Sequence, residues 1–161
     1  TVSTCGIVPG IRRLAGEGIP ITLSVSLHAP DDETRSRLMP VNRVYPVGEL
    51  IAACRDYADV TGRRVTYEYA LVRSVNDSPR HARKLVELIA GSLCHVNLIP
   101  VNPVEEAGFD RPDQATVQAF ADVLSRAGIS TTIRRELGTD IEAACGQLRR
   151  RVLGEDRGRS R

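Results

Sequence analysis

The chain has 161 residues, 42% of them hydrophobic and 26% charged, with a formal net charge of +2 at pH 7, which fits one domain with a sizeable core. Only 4% of the residues are aromatic and none is Trp, which excludes a broad platform for base stacking, and the charge is too mild for composition alone to mark a nucleic-acid binder. Cys5, Cys54, Cys94 and Cys145 stand far apart with no C-x-x-C pair, no His at metal-ligand spacing, no secretory segment and no bilayer-length apolar run, so a reducing, cytoplasmic setting is expected.

In chain order, Thr1 to Gly6 reads as a strand entering a turn, with neither an initiator Met nor a lead-in, and the chain is expected to be cut from something longer. Ile21 to His28 mixes β-branched residues with alternating Ser, as a strand with one buried face does, and Ala29-Pro30-Asp31-Asp32 then turns the chain. A helix follows from about Val47 to Val60, with Val47, Leu50, Ile51, Cys54 and Ala58 on one stripe and Gly62 as its stop. Arg64 to Val72 is a second strand. Ser78 is an N-cap with Pro79 at the first helical position, and that helix buries Ala82, Leu85, Val86 and Ile89. His95 to Pro100 is a strand, a loop runs to Pro112, a helix carries Val117, Phe120, Ala121 and Leu124 to Gly128, and Ile129 to Arg134 is the next strand.

Strands alternating with amphipathic helices imply right-handed crossovers and a parallel sheet or barrel, with binding groups at the carboxyl ends of the strands. There the chain places Ser3 to Gly6, Ser26 to Ala29 and Asn102-Pro103. No G-x-G-x-x-G, P-loop or G-x-S-x-G pattern is present. Ser26-Leu27-His28-Ala29-Pro30 is either a strand ending in a capping His or a site for the polar groups of an amino-acid or nucleoside ligand. Asn102 is either a turn former or an amide aimed by the prolines around it. Glu68, inside an apolar strand, either faces a polar barrel interior or pairs with an Arg such as Arg134 or Arg135, and a structural ion pair is favoured over a catalytic role. Cys145, between Ala144 and Gly146, is open to close approach by a substrate, although a free cysteine without context is more often a small buried hydrophobe. Arg149, Arg150, Arg151, Arg157, Arg159 and Arg161 crowd the last residues, either to meet phosphates or as a solvated end.

Taken together, Thr1-Val2-Ser3-Thr4, Ser26 to Asp32, Leu38-Met39-Pro40-Val41-Asn42, Tyr67-Glu68-Tyr69, Val75-Asn76-Asp77, Val96 to Pro103 and Asp140 to Leu148 occur in the order seen in radical S-adenosylmethionine methyltransferases of the RlmN/Cfr type, which the chain closely resembles up to about Arg150. The resemblance implies an α/β fold, the C-terminal part of a partial (β/α)6 barrel over residues 1–150, with residues 151–161 as a basic, disordered tail. It implies a parent enzyme that methylates C2 of an adenine in 23S rRNA, and in tRNA as well, using S-adenosylmethionine, a four-iron four-sulfur cluster and a reductant protein. Cys145 would be the methyl carrier, first methylated and then attacked by a radical at its methyl group. Ser3, Ser26, Leu27, His28 and Asn102 would contact S-adenosylmethionine.

Departures from the family pattern are equally informative. The cluster motif, the Gly-Glu cofactor segment, the resolving cysteine and the general-base Glu of the family are not in this sequence; Cys5 stands where relatives commonly have Ser or Val, and Leu137 where they often have Arg. The chain is therefore expected to be catalytically silent alone and to associate through an exposed barrel edge. A non-catalytic α/β module that binds RNA or a partner chain is the alternative, and a small enzyme of unrelated chemistry lacks the acid-base constellation it would need.

Overall fold

The computed structural model describes residues 1–101 and 109–134. Within them, strands β1 (Val2–Thr4), β2 (Leu23–Ser26), β3 (Val65–Leu71), β4 (Cys94–Pro100) and β5 (Ser130–Ile133) alternate with helices α1 (Val8–Ala15), α2 (Asp32–Leu38), α3 (Val47–Thr61), α4 (Pro79–Ile89) and α5 (Gln114–Arg126), with a 3-10 turn at Pro40–Arg43. The strands lie in one sheet in sequence order and every neighbouring pair is parallel. When each parallel connection has the same hand and the strand order never reverses, all the helices fall on one face.

The alternation along the strands agrees. Leu23, Val25, Val65, Tyr67, Tyr69, Leu71, Val96 and Leu98 are buried and join Val8, Ile11, Leu50, Ile51, Cys54, Tyr57, Leu85, Ile89, Phe120 and Leu124 of the helices in one core. Tyr69 meets Phe120 with ring centroids 5.2 Å apart, a tilted aromatic contact favoured by the ring quadrupoles. The intervening strand residues point to the opposite face and are almost all polar.

Helix boundaries follow local chemistry. Asp113 caps α5 through Thr116 N–H at 2.7 Å, and Ser78 caps α4 ahead of Pro79. Gly62 closes α3 in the left-handed region at φ +63°, donating to Ala58 O. Two helices are not read from the sequence. In α1 a Pro and a Gly interrupt the pattern, and only Val8 and Ile11 are buried. The seven residues of α2 carry no apolar stripe at all. Asp31 caps α2 through Thr34 N–H at 2.9 Å and also meets Lys84 Nζ of α4 at 2.6 Å. Partial burial pushes its carboxyl up, but Lys84 and the Thr34 amide outweigh this and hold it at about 2.

What α2 buries is a cation. Arg35 is fully buried, and its guanidinium donates from Nε to Leu27 O at 3.0 Å, from Nη2 to Cys5 O at 2.8 Å and Ser26 O at 3.2 Å, and from Nη1 to Asn42 Oδ1 at 2.9 Å. Asn42 passes the interaction on, donating from Nδ2 to Asp32 Oδ1 at 2.9 Å, and the same carboxylate oxygen accepts Val47 N–H at 2.7 Å. The carboxyl ends of β1 and β2, the start of α2, the 3-10 turn and the first residue of α3 thus hang on one side chain. Gly6 is needed beside it: at φ +109°, a Cβ there would stand 3.0 Å from Arg35 Nη2 and from Leu50 Cδ2.

Arg35→Leu is expected to cost about 3 to 5 kcal/mol in urea denaturation, because several buried acceptors lose their donors together. Arg35→Lys should recover only part of this, since an ammonium cannot span acceptors placed for a planar fork. A loss below about 1 kcal/mol for Arg35→Leu would show that these carbonyls are satisfied without the guanidinium.

Candidate functional site

Strand register sorts the polar residues into rows across the face opposite the described helices. Ser3, Ser24, Thr66, His95 and Ser130 are successive partners on β1 to β5, and Ser26, Glu68, Asn97 and Thr132 form the next row toward the carboxyl ends of β2 to β5. The rows are stitched together. Ser24 Oγ donates to Glu68 Oε1 at 2.9 Å, Asn97 Nδ2 donates to Glu68 Oε2 at 2.8 Å, and Thr132 Oγ1 donates to Asn97 Oδ1 at 3.3 Å. Having spent its proton there, Thr132 must accept from His95 Nε2 at 2.9 Å, which leaves His95 Nδ1 to accept from Ser130 Oγ at 2.9 Å. At neutral pH the ring is uncharged, because burial together with Arg64 lowers its pKa against the opposing pull of Glu68.

Glu68 therefore takes the first of the two roles open to it from the sequence. It faces the polar side of the sheet, held by Ser24 and Asn97. Arg134 forms no ion pair with it, the ion pair among the described residues being Lys84 with Asp31, and Arg135 lies outside the described residues.

One row further on, the chain leaves β2 through His28 in an unusual conformation. Ala29 N–H returns to Leu27 O at 2.8 Å around His28 at φ +59°, a three-residue turn in its strained hand, rare for a residue with a side chain. Ala70 N–H of β3 donates to His28 Nδ1 at 3.0 Å. The acceptor role of Nδ1 puts the ring proton on Nε2. Burial, then Arg35, lower the pKa of His28 from 6.5 to about 4, with Glu68 opposing, so at neutral pH the group is an uncharged imidazole with an Nε2–H donor. Beneath it Asn76, with no exposed surface, donates from Nδ2 to His28 O at 2.7 Å and Ala70 O at 2.6 Å and accepts Val72 N–H at 2.7 Å, while Tyr69 OH donates to Asn76 O at 2.9 Å.

Ser3 and Ser26 thus lie on the polar face and His28 at the end of β2 beside Ala70. Leu27 lies between two of them with its side chain fully buried in the core and its N–H and C=O engaged by Glu68 O and by Arg35 and Ala29. Asn102 and Cys145, and the proposed division at residue 150, fall outside the described residues. Arg35, Asn42 and Asn76 were not read as site-forming from the sequence, although Asn42 and Asn76 sit in the ordered blocks that carry the family resemblance. Cys5 is exposed at the end of β1, and Cys54 is buried, its thiol pushed up to about 12 by burial against the lesser effects of Tyr67 and Arg35, which makes it an inert packing group. Among the described residues no group of three His, Cys, Asp or Glu could hold a metal ion, and no helix is long and apolar enough to cross a membrane.

The arrangement suits a polar ligand of mixed character. It offers hydroxyls, a neutral imidazole N–H and a carboxylate at one end of a parallel sheet. The chain is similar to several known proteins. The chain is 61% identical over 158 residues to a protein of Pelotomaculum thermopropionicum and 57% identical over 160 residues to one of Symbiobacterium thermophilum, covering 96% and 99% of this chain and 43% of each relative; both bear the name "Probable dual-specificity RNA methyltransferase RlmN". The chain spans less than half the length of the curated relatives it matches. A crystal structure of a radical SAM methyltransferase from Sphaerobacter thermophilus superposes with a TM-score of 0.86 at 55% identity, covering 91% of this chain and 43% of that one. A domain of pyruvate-formate lyase-activating enzyme from Bacteroides vulgatus shares the fold alone, with a TM-score of 0.61 at 16% identity, covering 83% of this chain and 98% of that domain. No protein-family model matches. The resemblance read from the ordered motifs holds, and so does the fold class: five parallel strands alternating with helices, as in the radical SAM methyltransferase.

A pH dependence follows from His28. Between pH 6.5 and about 4 the unfolded chain takes up a proton at this residue that the folded chain refuses, so its contribution to stability is intact above pH 6.5 and lost as the pH falls toward 4. His81 and His95, also lowered mainly by burial, add to the same trend. The urea midpoint should fall over that window, and His28→Gln should remove part of the fall. A midpoint equally steep in His28→Gln would mean that the imidazole is not held neutral.

Proposed function

We propose that this chain is part of a radical S-adenosylmethionine RNA methyltransferase, in which the polar sheet face binds S-adenosylmethionine and Cys145 carries the methyl group to C2 of an adenine in 23S rRNA, and in tRNA. The observation that carries the reading is the polar face ending in a neutral, strained His28, in a chain 55% identical to a radical SAM methyltransferase of the same fold.

The donor set fits the cofactor. S-adenosylmethionine presents an amino acid, ribose hydroxyls and an adenine, so it needs both donors and acceptors; Ser3, Ser26 and His28 Nε2–H supply donors, and hydroxyl oxygens supply acceptors. Asn102, two residues beyond β4, would complete that wall. Leu27 would act through its main chain, fixing the spacing of Ser26 and His28. When bound, S-adenosylmethionine supplies an electrophilic methyl group and the source of a radical. The iron-sulfur cluster finds no fitting ligand set among the described residues, so no step of the reaction is assigned to it here. A partner reductant, RNA recognition and a cytoplasmic setting belong to the same proposal.

Cys145 would act as a thiolate on the methyl carbon: the new S–C bond forms as the sulfonium C–S bond breaks, leaving a thioether on the protein and S-adenosylhomocysteine as the product. Adenine C2 is not nucleophilic and cannot displace the methyl group from either sulfur, so onward transfer would need the radical chemistry that a second S-adenosylmethionine supplies, breaking a C–H bond of the Cys145 S-methyl group before a bond to C2 forms. In the complete enzyme, Cys145→Ala is expected to abolish transfer of labelled methyl groups to 23S rRNA, whereas Cys54→Ala, in the core, should cost about 1 to 2 kcal/mol of stability and keep the reaction. Label arriving at adenine C2 in the Cys145→Ala enzyme would overturn this mechanism.

A further inference from the structure

Asn76 stands in the stretch Asn76-Asp77-Ser78-Pro79 that leads into α4, and a turn there would use little of it. An Asx turn uses the side-chain oxygen to accept the N–H two residues further on, whereas Asn76 Oδ1 accepts Val72 N–H, four residues back, at 2.7 Å. The two amide hydrogens do something else: one reaches His28 O on the connection leaving β2 at 2.7 Å, and the other Ala70 O at the end of β3 at 2.6 Å. We propose that Asn76 is a positioning residue for the ligand site, its buried amide tying the His28 carbonyl to the end of β3 so that the imidazole stays fixed on the ligand face. This rests on the reading above that His28 contacts S-adenosylmethionine.

The geometry closes a small ring of contacts. Ala70 is gripped from both sides, its N–H by the His28 ring and its C=O by Asn76, while His28 is gripped at its ring by Ala70 and at its own carbonyl by Asn76. His28 at φ +59° occupies a sparsely populated region that persists only when its surroundings over-determine it. On the β2 side Arg35 holds Ser26 O and Leu27 O; on the far side only Asn76 holds His28 O among the described contacts. Release of that carbonyl lets His28 relax toward negative φ, which swings its Cα–Cβ bond and breaks the Nδ1 contact. Every hydrogen-bonding position of the Asn76 amide except one oxygen lone pair is engaged, so the set of bonds calls for a carboxamide. Aspartate offers carboxylate oxygens to two carbonyls, and serine is too short to reach both.

The test reads His28 directly, by nuclear magnetic resonance of the complete protein carrying isotope-labelled histidine. In the wild type the His28 ring should be the Nε2–H tautomer and should titrate near 4; a wild-type ring protonated on Nδ1 at neutral pH would overturn the proposal without any variant. In Asn76→Asp and Asn76→Ser the ring should lose its single tautomer and titrate closer to the ordinary 6.5, and S-adenosylmethionine should bind about tenfold more weakly. Leu124→Ala, a core truncation on α5, provides a control that lowers the Tm while leaving the His28 resonances in place. Variants of Asn76 whose His28 signals match the wild type would reduce it to a turn residue and overturn the inference. Shifted His28 signals with unchanged cofactor affinity would leave the positioning role standing and remove His28 from the proposed cofactor wall.

Discussion

The carboxyl ends of the first two strands depend on a guanidinium that, among the described residues, has no carboxylate in direct contact. Arg35 is fully buried, and its acceptors are three main-chain carbonyls and an amide oxygen. A bare cation in such a place would be expelled or neutralised. Here the oxygens of Cys5, Ser26, Leu27 and Asn42 replace its hydration shell, and Asp32, one step away through Asn42, supplies the countercharge. The same bonds satisfy carbonyls at strand ends where the ladder stops. One interaction therefore meets the needs of the cation and of the backbone together, which explains how a helix as short and polar as α2 stays docked.

Parallel sheets are ordinarily covered on both faces and read as continuous apolar runs. This sheet departs from that pattern: along β3 and β4 buried apolar residues alternate with half-buried ones, which are polar at Thr66, Glu68, His95 and Asn97. The polar side is a connected chain of hydrogen bonds from Ser24 through Glu68, Asn97, Thr132 and His95 to Ser130. Its dipoles are set before any ligand arrives, and such preorganisation lowers the reorganisation a bound polar molecule would otherwise demand. His28 ends this surface as a donor whose charge state does not change near neutral pH.

The sequence exposed the periodic features. Alternating Ser in β2, the stripe of α3 with its Gly62 stop, and the Ser78-Pro79 start of α4 are local signals, and the structure has them where they were expected. The family motifs pointed to Ser3, Ser26 and His28, which register and the β2 turn bring to one side of the sheet. Three matters were not legible. Arg35 and Asn42 are joined across a helix and a 3-10 turn, and neither residue type suggests burial. The positive φ of His28 follows from contacts with Ala70 and Asn76, more than forty positions away. Glu68 looked like half of an ion pair because an isolated carboxylate in an apolar strand suggests one; its partners among the described residues, Ser24 and Asn97, are neutral and come from neighbouring strands.

The hydrogen-bonded chain along the sheet also guards against misalignment during folding. A parallel ladder of strands with similar apolar content could pair one residue out of step at little loss in main-chain bonds. In β3, such a slip would turn Glu68 into the helix-covered core and bring Tyr67 and Tyr69 out beside the serines, because side chains alternate faces with a period of two. The carboxylate would lose both Ser24 and Asn97 and find only aliphatic neighbours, a penalty of several kcal/mol. The polar residues proposed to receive a ligand thus also reject the mispaired sheets, so on that proposal selection for binding and selection for a single native alignment act on the same positions.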